Sequence, residues 1–482
     1  MQLLFNGHSY RYAVEQSLLS WLPGVSFTDE ASKDCLLTGL TEKKASARLI
    51  LNGRCVEAEA ELDGEIPGDA LLRDRVLQRL LKTAIFRAVA EYTGVIPPWG
   101  ALTGVRPAKL SARFLAELSE DEAVKAMERD YFVSPERAKL CVSAGTVSRR
   151  LQAALAPQDA VLYMGIPFCP SRCVYCSFVS HSVEKSFDLV EPYVEALCRE
   201  IEGTGRLCRE AGLRIRAFYM GGGTPTTLTA EQLRLVLQTL RASFELADCH
   251  EYTVEAGRPD TITEEKLRVL TGEGVTRISI NPQSMNEAVL NAIGRRHSPQ
   301  DVLDCYETAR KCFGGEINMD LIAGLPKDDS EGFRRSLETL IALKPENITV
   351  HSLTKKRGAD MHSGNYDYPS DAAVGEMLGF ALRRLPEAGY SPYYLYRQKF
   401  SAGGFENTGW SLPGHECIYN VCMMEELCHV LSLGAGGATK RVFPGSGKIL
   451  RCTNKKYPYE YNRSAEAAVE EKRKLFFTAA PQ

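Results

Sequence analysis

The stretch "GIPFCPSRCVYCSF" places Cys169, Cys173 and Cys176 within a few residues of one another, in a chain of 482 residues with fifteen cysteines. Thiolates are soft ligands suited to zinc or to iron–sulfur clusters. A closed structural zinc site takes four protein ligands, and a four-iron cluster that only carries electrons usually has four cysteines. Three thiols on one short loop therefore predict a cluster with one iron open to another ligand. A zinc site completed by a distant group such as His181 is the alternative. The remaining cysteines, among them Cys141, Cys198, Cys208, Cys249 and Cys305, stand singly and read as small buried hydrophobes. The odd total of fifteen and the length of the chain argue against a disulfide framework.

A second motif, "MGGGTPTTL" (220–228), is glycine-rich after an apolar run. Glycines there let backbone N–H groups approach a polar or anionic ligand closely. Taken alone it is more often a tight turn than a binding loop.

The elements that must hold these motifs alternate in type. Strand candidates are 160–168, 215–223, 251–257, 277–284, 316–324 and 347–353, with amphipathic helical patterns between them. Thr229, Thr263 and Ser298 stand where helix N-caps belong. Six βα units in succession imply a parallel sheet with right-handed crossovers. Six are too few for an ordinary closed eight-stranded barrel, so an open, partial (β/α)6 barrel is expected. In such a fold the chemistry sits at the C-terminal ends of the strands, where both motifs fall.

Residues 1–157 read as an α+β accessory region, β-rich to about 66 and helical afterwards. Its "SARLILNGRCVEAEAELDG" alternates with period two around the turn signal Asn52-Gly53. Residues 158–389 form the barrel, and 390–482, aromatic and Gly-rich, read as a cap over its mouth. The run "CMMEELCHVLSLGAGGATKRV" reads there as a helix leading into a glycine turn.

The motifs in order, "YMGIPFCPSRCVYCSF", "GGGTPT", "TVEAGRPDTIT", "RISINPQSMNEAVLNAIGRRHS" and "INMDLIAGLPKDD", resemble the radical S-adenosylmethionine (SAM) superfamily. Within it they are similar to the oxygen-independent coproporphyrinogen III oxidase family, and to the coproporphyrinogen dehydrogenase-like members with an extra N-terminal domain. The resemblance spans residue 160 to about 437. It implies a [4Fe–4S] cluster on Cys169, Cys173 and Cys176, with SAM chelating the open iron. It implies that Tyr163 lies near cluster and SAM, and that Gly222, Gly223 and Thr224 meet the SAM amine. It assigns Glu255, Gln283, Arg295 and Asp320 to the SAM ribose and carboxylate. No catalytic residue beyond these is implied. The types suit the roles, since carboxylates accept from hydroxyls and arginine pairs with a carboxylate in bidentate fashion.

Three features depart from the family. The oxidases carry CxxxCxxCxC, whereas Phe178 stands two after Cys176, as in haem-chaperone relatives. Residues 1–157 do not match the oxidases' short N-terminal segment, and "TGVRPAKLSARF" adds Arg106, Lys109 and Arg113, which read as a solvated helix face, with propionates or RNA as the functional alternatives. In "CIYN" (417–420) a tyrosine replaces the chaperone-type haem-site histidine.

The leading expectation is an oxidoreductase that converts coproporphyrinogen propionates to vinyl groups, served by a flavodoxin- or ferredoxin-type electron donor. A haem chaperone that keeps the cluster and a radical RNA-modifying enzyme are the alternatives. Lys355, Lys356 and Arg357, with Arg397 and Lys399, are candidate propionate ligands on the rim. The net charge of −3 and the lack of an aromatic-basic motif count against nucleic acid. No apolar run approaches the ~18 residues of a spanning helix. The start lacks a charged segment followed by an apolar one, so a reducing cytoplasm is expected.

Overall fold

A computed structural model describes residues 1–478 except Val179, Lys355, Arg357, Gly358, Ser363, Asn365, 399–401 and 444–446, with backbone only at Glu184, Lys185, His362 and Ala402. The chain divides into two compact units. One comprises residues 1–142 and 397–405, the other 143–396 and 406–482.

The smaller unit is built on a four-stranded sheet, β1 (Gln2–Asn6), β2 (Cys35–Leu40), β3 (Lys44–Leu51) and β4 (Arg54–Glu61), in sequential order. β1 runs parallel to β2, and the rest are antiparallel. Burial alternates along β3 and β4, the mark of a sheet covered on one face. Leu36, Ala47, Leu49 and Val56 turn inward and pack on Val14, Leu18, Leu81 and Ile85. The last four come from the helices Arg11–Trp21 and Ala70–Thr93.

The larger unit holds an eleven-stranded sheet. Its strands are β5 (Asp159–Ile166), β8 (Arg214–Gly222), β9 (Glu251–Glu255), β10 (Arg277–Ser279), β11 (Glu316–Ala323), β12 (Asn347–Ser352), β13 (Ser391–Arg397), β14 (Glu406–Ser411), β15 (His429–Leu433), β16 (Ala438–Val442) and β17 (Ile449–Thr453). The short β6 (Phe168–Cys169) and β7 (His181–Ser182) pair separately. The order is β13-β14-β12-β11-β10-β9-β8-β5-β15-β16-β17. The run from β12 to β5 is the expected parallel ladder. β5 is buried along nearly its whole length, as a strand covered on both faces must be. Thr229, Thr263 and Ser298 each accept the first-turn N–H of the helix that follows.

The C-terminal residues do more than cap. β14 joins one edge antiparallel to β12, and β15 adds a seventh parallel strand beside β5. The run read as helix into turn is a helix only over Ile418–Glu425; His429–Leu433 is strand. Five residues between a helix and a glycine turn carry too little periodicity to declare themselves.

Beneath the sheet, Glu251, Arg277 and Glu316 open β9, β10 and β11 and form a closed charge cluster. Arg277 Nη1 lies 2.8 Å from Glu251, and Nη2 bonds Glu316 and the His415 carbonyl. Glu251 also accepts from the Ile418 and Tyr419 N–H groups at 2.6 and 3.2 Å, which fastens this segment across the strand starts.

Candidate active site

At the opposite ends of the same strands lies the cysteine loop. β5 runs into it, and the β6–β7 pair closes it, with the His181 N–H bonded to the Pro167 carbonyl at 2.8 Å. The residues between the cysteines anchor its middle. Val174 N–H donates to Ile293 O at 3.1 Å, and its carbonyl accepts from Met361 N–H at 3.0 Å. The Val174 and Tyr175 side chains pack on Val289, Leu290, Ile293 and Leu325. Apolar residues thus bury the loop between Cys173 and Cys176.

Cys173 is buried, and Cys169 and Cys176 are half-buried. Burial pushes the Cys169 thiol up and that of Cys176 to about 11. A metal cation would deprotonate such thiols outright. The Thr224 hydroxyl donates to Cys169 Sγ at 3.5 Å, and Arg258 Nη1 lies 3.7 Å from Cys173 Sγ. Among the described residues no three His, Cys, Asp or Glu side chains converge on a point that would hold a single metal ion. The His181 ring instead meets Tyr457 edge-on, with centroids 6.2 Å apart. Three thiols on one loop, with cationic and hydroxyl donors at the sulfurs, fit an iron–sulfur cluster.

The glycine motif follows β8 and docks on this loop. Gly223 N–H and Thr224 N–H donate to the Ile166 and Phe168 carbonyls at 2.8 and 2.7 Å. A Cβ on Gly223 would lie 2.5 Å from Phe168 O, so glycine is required for the approach. Gly222 has φ +102° and lies beside the Tyr163 hydroxyl.

Glu255 ends β9 and accepts from Tyr219 OH at 2.5 Å. Burial raises its carboxyl to about 7; the nearby Asp320 adds to this, while Tyr219, the Gly222 N–H and His351 oppose it. Asp320 accepts from Asn318 Nδ2 at 2.8 Å, and His351 Nε2 lies 3.8 Å from its second oxygen. Gln283 adopts φ +69°, donates its N–H to the Asp320 carbonyl at 2.9 Å, and leaves a buried Oε1 without a partner. Arg295 bonds Asn281 O at 2.7 Å, Gly257 O at 3.2 Å and Tyr175 OH at 3.0 Å. Its buried Nε has no partner. Of the residues expected to surround SAM, Tyr163 and Asp320 lie within β5 and β11, Gly222 and Glu255 end β8 and β9, and Gly223, Thr224, Gln283 and Arg295 lie on loops that follow strands.

Arg258 is the residue that sequence reasoning missed. It forms a bidentate pair with Asp260 at 3.0 Å, and it holds Ser171 Oγ at 3.1 Å and Ser171 O at 3.4 Å. It thus pins the cysteine loop to the β9 end. Its place in "EAGRPDTIT" was visible, but nothing local distinguishes a buried arginine from a solvated one.

The rim residues fare differently. Lys355, Arg357 and Lys399 lie outside the described residues. Lys356 is exposed. Arg397 is no propionate ligand: Nε and Nη1 bond the Gly404 and Leu102 carbonyls, and the guanidinium lies over Trp99. Tyr419, expected in a cap, is buried in a stack with Tyr219 and Tyr163, with centroids 4.5 and 6.2 Å apart.

A parallel sheet with a three-cysteine loop and a glycine turn at its C-terminal mouth defines a radical SAM protein. The Radical SAM superfamily model matches residues 163–340, and that domain implies a [4Fe–4S] cluster and SAM. The chain is 39% identical over 389 residues to the oxygen-independent coproporphyrinogen-III oxidase-like protein HemZ of Bacillus subtilis (strain 168), covering 79% of this chain and 77% of that one. It belongs to the radical SAM coproporphyrinogen III oxidase-like family. Heme chaperone HemW of Escherichia coli (strain K12) is 29% identical over 297 residues, 62% of this chain and 74% of that one. Among solved structures, coproporphyrinogen III oxidase (HemN) from Escherichia coli has the same fold, with a TM-score of 0.52 at 22% identity, covering 67% and 73% of the two chains. Among the described residues no helix is long and apolar enough to cross a membrane.

Proposed function

We propose that this protein is an oxygen-independent oxidoreductase that decarboxylates the propionates of coproporphyrinogen III to vinyl groups. The observation that carries this reading is the extent of the HemZ match, which at 79% of the chain reaches well beyond the radical SAM domain. The chaperone match is lower in identity and covers 62%.

Cys169, Cys173 and Cys176 would hold three irons of the cluster. Bound SAM and reduced cluster supply a 5′-deoxyadenosyl radical, an abstractor of hydrogen atoms. The chain itself binds, orients and excludes water. The Gly222–Thr224 turn presents its backbone to the SAM amine, beside Tyr163. Glu255 and Asp320 accept from ribose hydroxyls, Gln283 offers its unpartnered oxygen, and Arg295 meets the carboxylate. The substrate loses a propionate β-hydrogen to that radical, then carbon dioxide, with one electron passing to an external one-electron acceptor. A flavodoxin or ferredoxin suits the role of donor. Fifteen cysteines with no disulfide between them, three of them cluster ligands, and an oxygen-sensitive cofactor suit a reducing cytoplasm.

A haem-chaperone reading draws support from the HemW relatives and from Phe178, whose side chain is 64% exposed next to the cluster loop. Anaerobic incubation of reconstituted protein with SAM, reductant and coproporphyrinogen III decides between them. Carbon dioxide and vinyl product support the oxidase. SAM cleavage without either product, together with stoichiometric haem binding, supports the chaperone.

A further inference from the structure

The N-terminal unit contains a cleft that the radical chemistry does not use. Its volume is about 230 Å³, and its walls carry Arg75, Arg79 and Lys82 on one side and Thr103, Gly104 and Tyr131 on the other. The three cations sit on the helix Ala70–Thr93 at spacings of four and three, so they share one face. Like charges so placed repel and weaken a helix unless something neutralises them. No acidic side chain lines the cleft. The nearby Asp74 is occupied by Tyr10 OH at 2.7 Å and Gln78 Nε2 at 2.8 Å. Among the described residues no ion pair engages Arg75, Arg79 or Lys82. Arg79 is held in place, its guanidinium 5.9 Å from the Tyr131 ring centroid. Burial lowers the Lys82 ammonium below its ordinary value, a cost that a bound anion would offset.

We propose that this cleft binds a small polyanion through its phosphate or carboxylate groups. Arginine forks suit both oxyanions, and the tyrosine and Thr103 wall closes the opposite side. The volume is below the ~300 Å³ at which pockets begin to enclose whole drug-sized ligands. It fits a diphosphate or a compact polycarboxylate rather than a tetrapyrrole, so the site is separate from that of the radical substrate. Its failure would leave the assigned reaction untouched.

Isothermal titration calorimetry of the full chain with pyrophosphate and with citrate tests the proposal and separates phosphate from carboxylate. Saturable one-site binding of either is expected. Arg79→Glu and Lys82→Glu should each weaken it about tenfold or more, Arg79→Lys should retain most of it, and circular dichroism and SAM cleavage should not change. Binding of neither probe by the wild-type protein would overturn the proposal, as would binding that the charge reversals leave intact. So would binding of single-stranded RNA that pyrophosphate does not displace, which marks a nucleic-acid surface instead.

Discussion

Arg277 and Arg295 are both buried guanidiniums in the larger unit, 4% and 6% exposed, and they are satisfied in opposite ways. Arg277, at the floor, faces Glu251 and Glu316 and opposes charge with charge. Arg295, at the mouth, bonds two carbonyls and a phenol, and among the described residues it has no carboxylate partner. For each, burial works against the cation. Neighbouring Glu251 holds Arg277 above its ordinary value, while Tyr175 and Cys173 do so for Arg295. A buried charge without a counter-charge is expensive. The floor opposes its charge with carboxylates of the chain, and on the proposed reading a ligand carboxylate does so at the mouth.

The largest effect that separates the two ends is loss of the cluster. Cys173→Ala removes the most buried of the three ligands while leaving the floor intact. Iron and SAM cleavage should be lost together after anaerobic reconstitution, and the apoprotein should melt within about 1 °C of wild-type apoprotein. Stoichiometric zinc without iron in the wild-type protein would break the assignment of the loop.

Next come the arginines themselves. Arg277→Met strands two carboxylates at the floor and should cost about 3–5 kcal/mol in urea unfolding. Arg295→Met strands two carbonyls and the Tyr175 hydroxyl but no carboxylate, and should cost about 1–2 kcal/mol. Its main effect should be on SAM affinity, weakened about tenfold to a hundredfold with iron content unchanged. Equal stability losses, or unaltered SAM binding in Arg295→Met, would remove the distinction between floor and mouth.

What could be read from the sequence follows the same division. The mouth announces itself because its chemistry is local. Three cysteines lie on one loop, glycines follow an apolar run, and acids end strands whose periodicity is clear. Glu255 could be picked out at the end of a strand and Asp320 within one, each in register with these motifs. The floor was invisible because its partners are brought together only by the fold. Glu251, Arg277, Glu316 and His415 come from four separate segments, and each alone reads as a surface charge. Arg397 was misjudged for a related reason. A basic residue in an aromatic stretch looks available, and only the tertiary structure shows its donors spent on Leu102 and Gly404. Tyr419 was read only as the replacement of a chaperone-type haem-site histidine, and the structure buries it against Tyr219.

The smallest effect is a titration at the mouth. Burial first, then the negative charge of Asp320, raises Glu255 to about 7 from an ordinary 4.5. The folded apoprotein therefore binds more protons than the unfolded chain between those two values, and folding stability must fall as pH rises through that window. Glu255→Gln removes the titration but keeps an acceptor for the Tyr219 hydroxyl. The melting temperature of the variant minus that of wild type should rise between pH 5 and pH 8 and level off beyond it. The carboxyl is half-buried, so solvent screening should hold the total to about 1 kcal/mol, or about 2 °C. A difference that is flat across the window, or that falls, would place Glu255 in an environment that favours its charge. The mouth would then be as fully compensated as the floor.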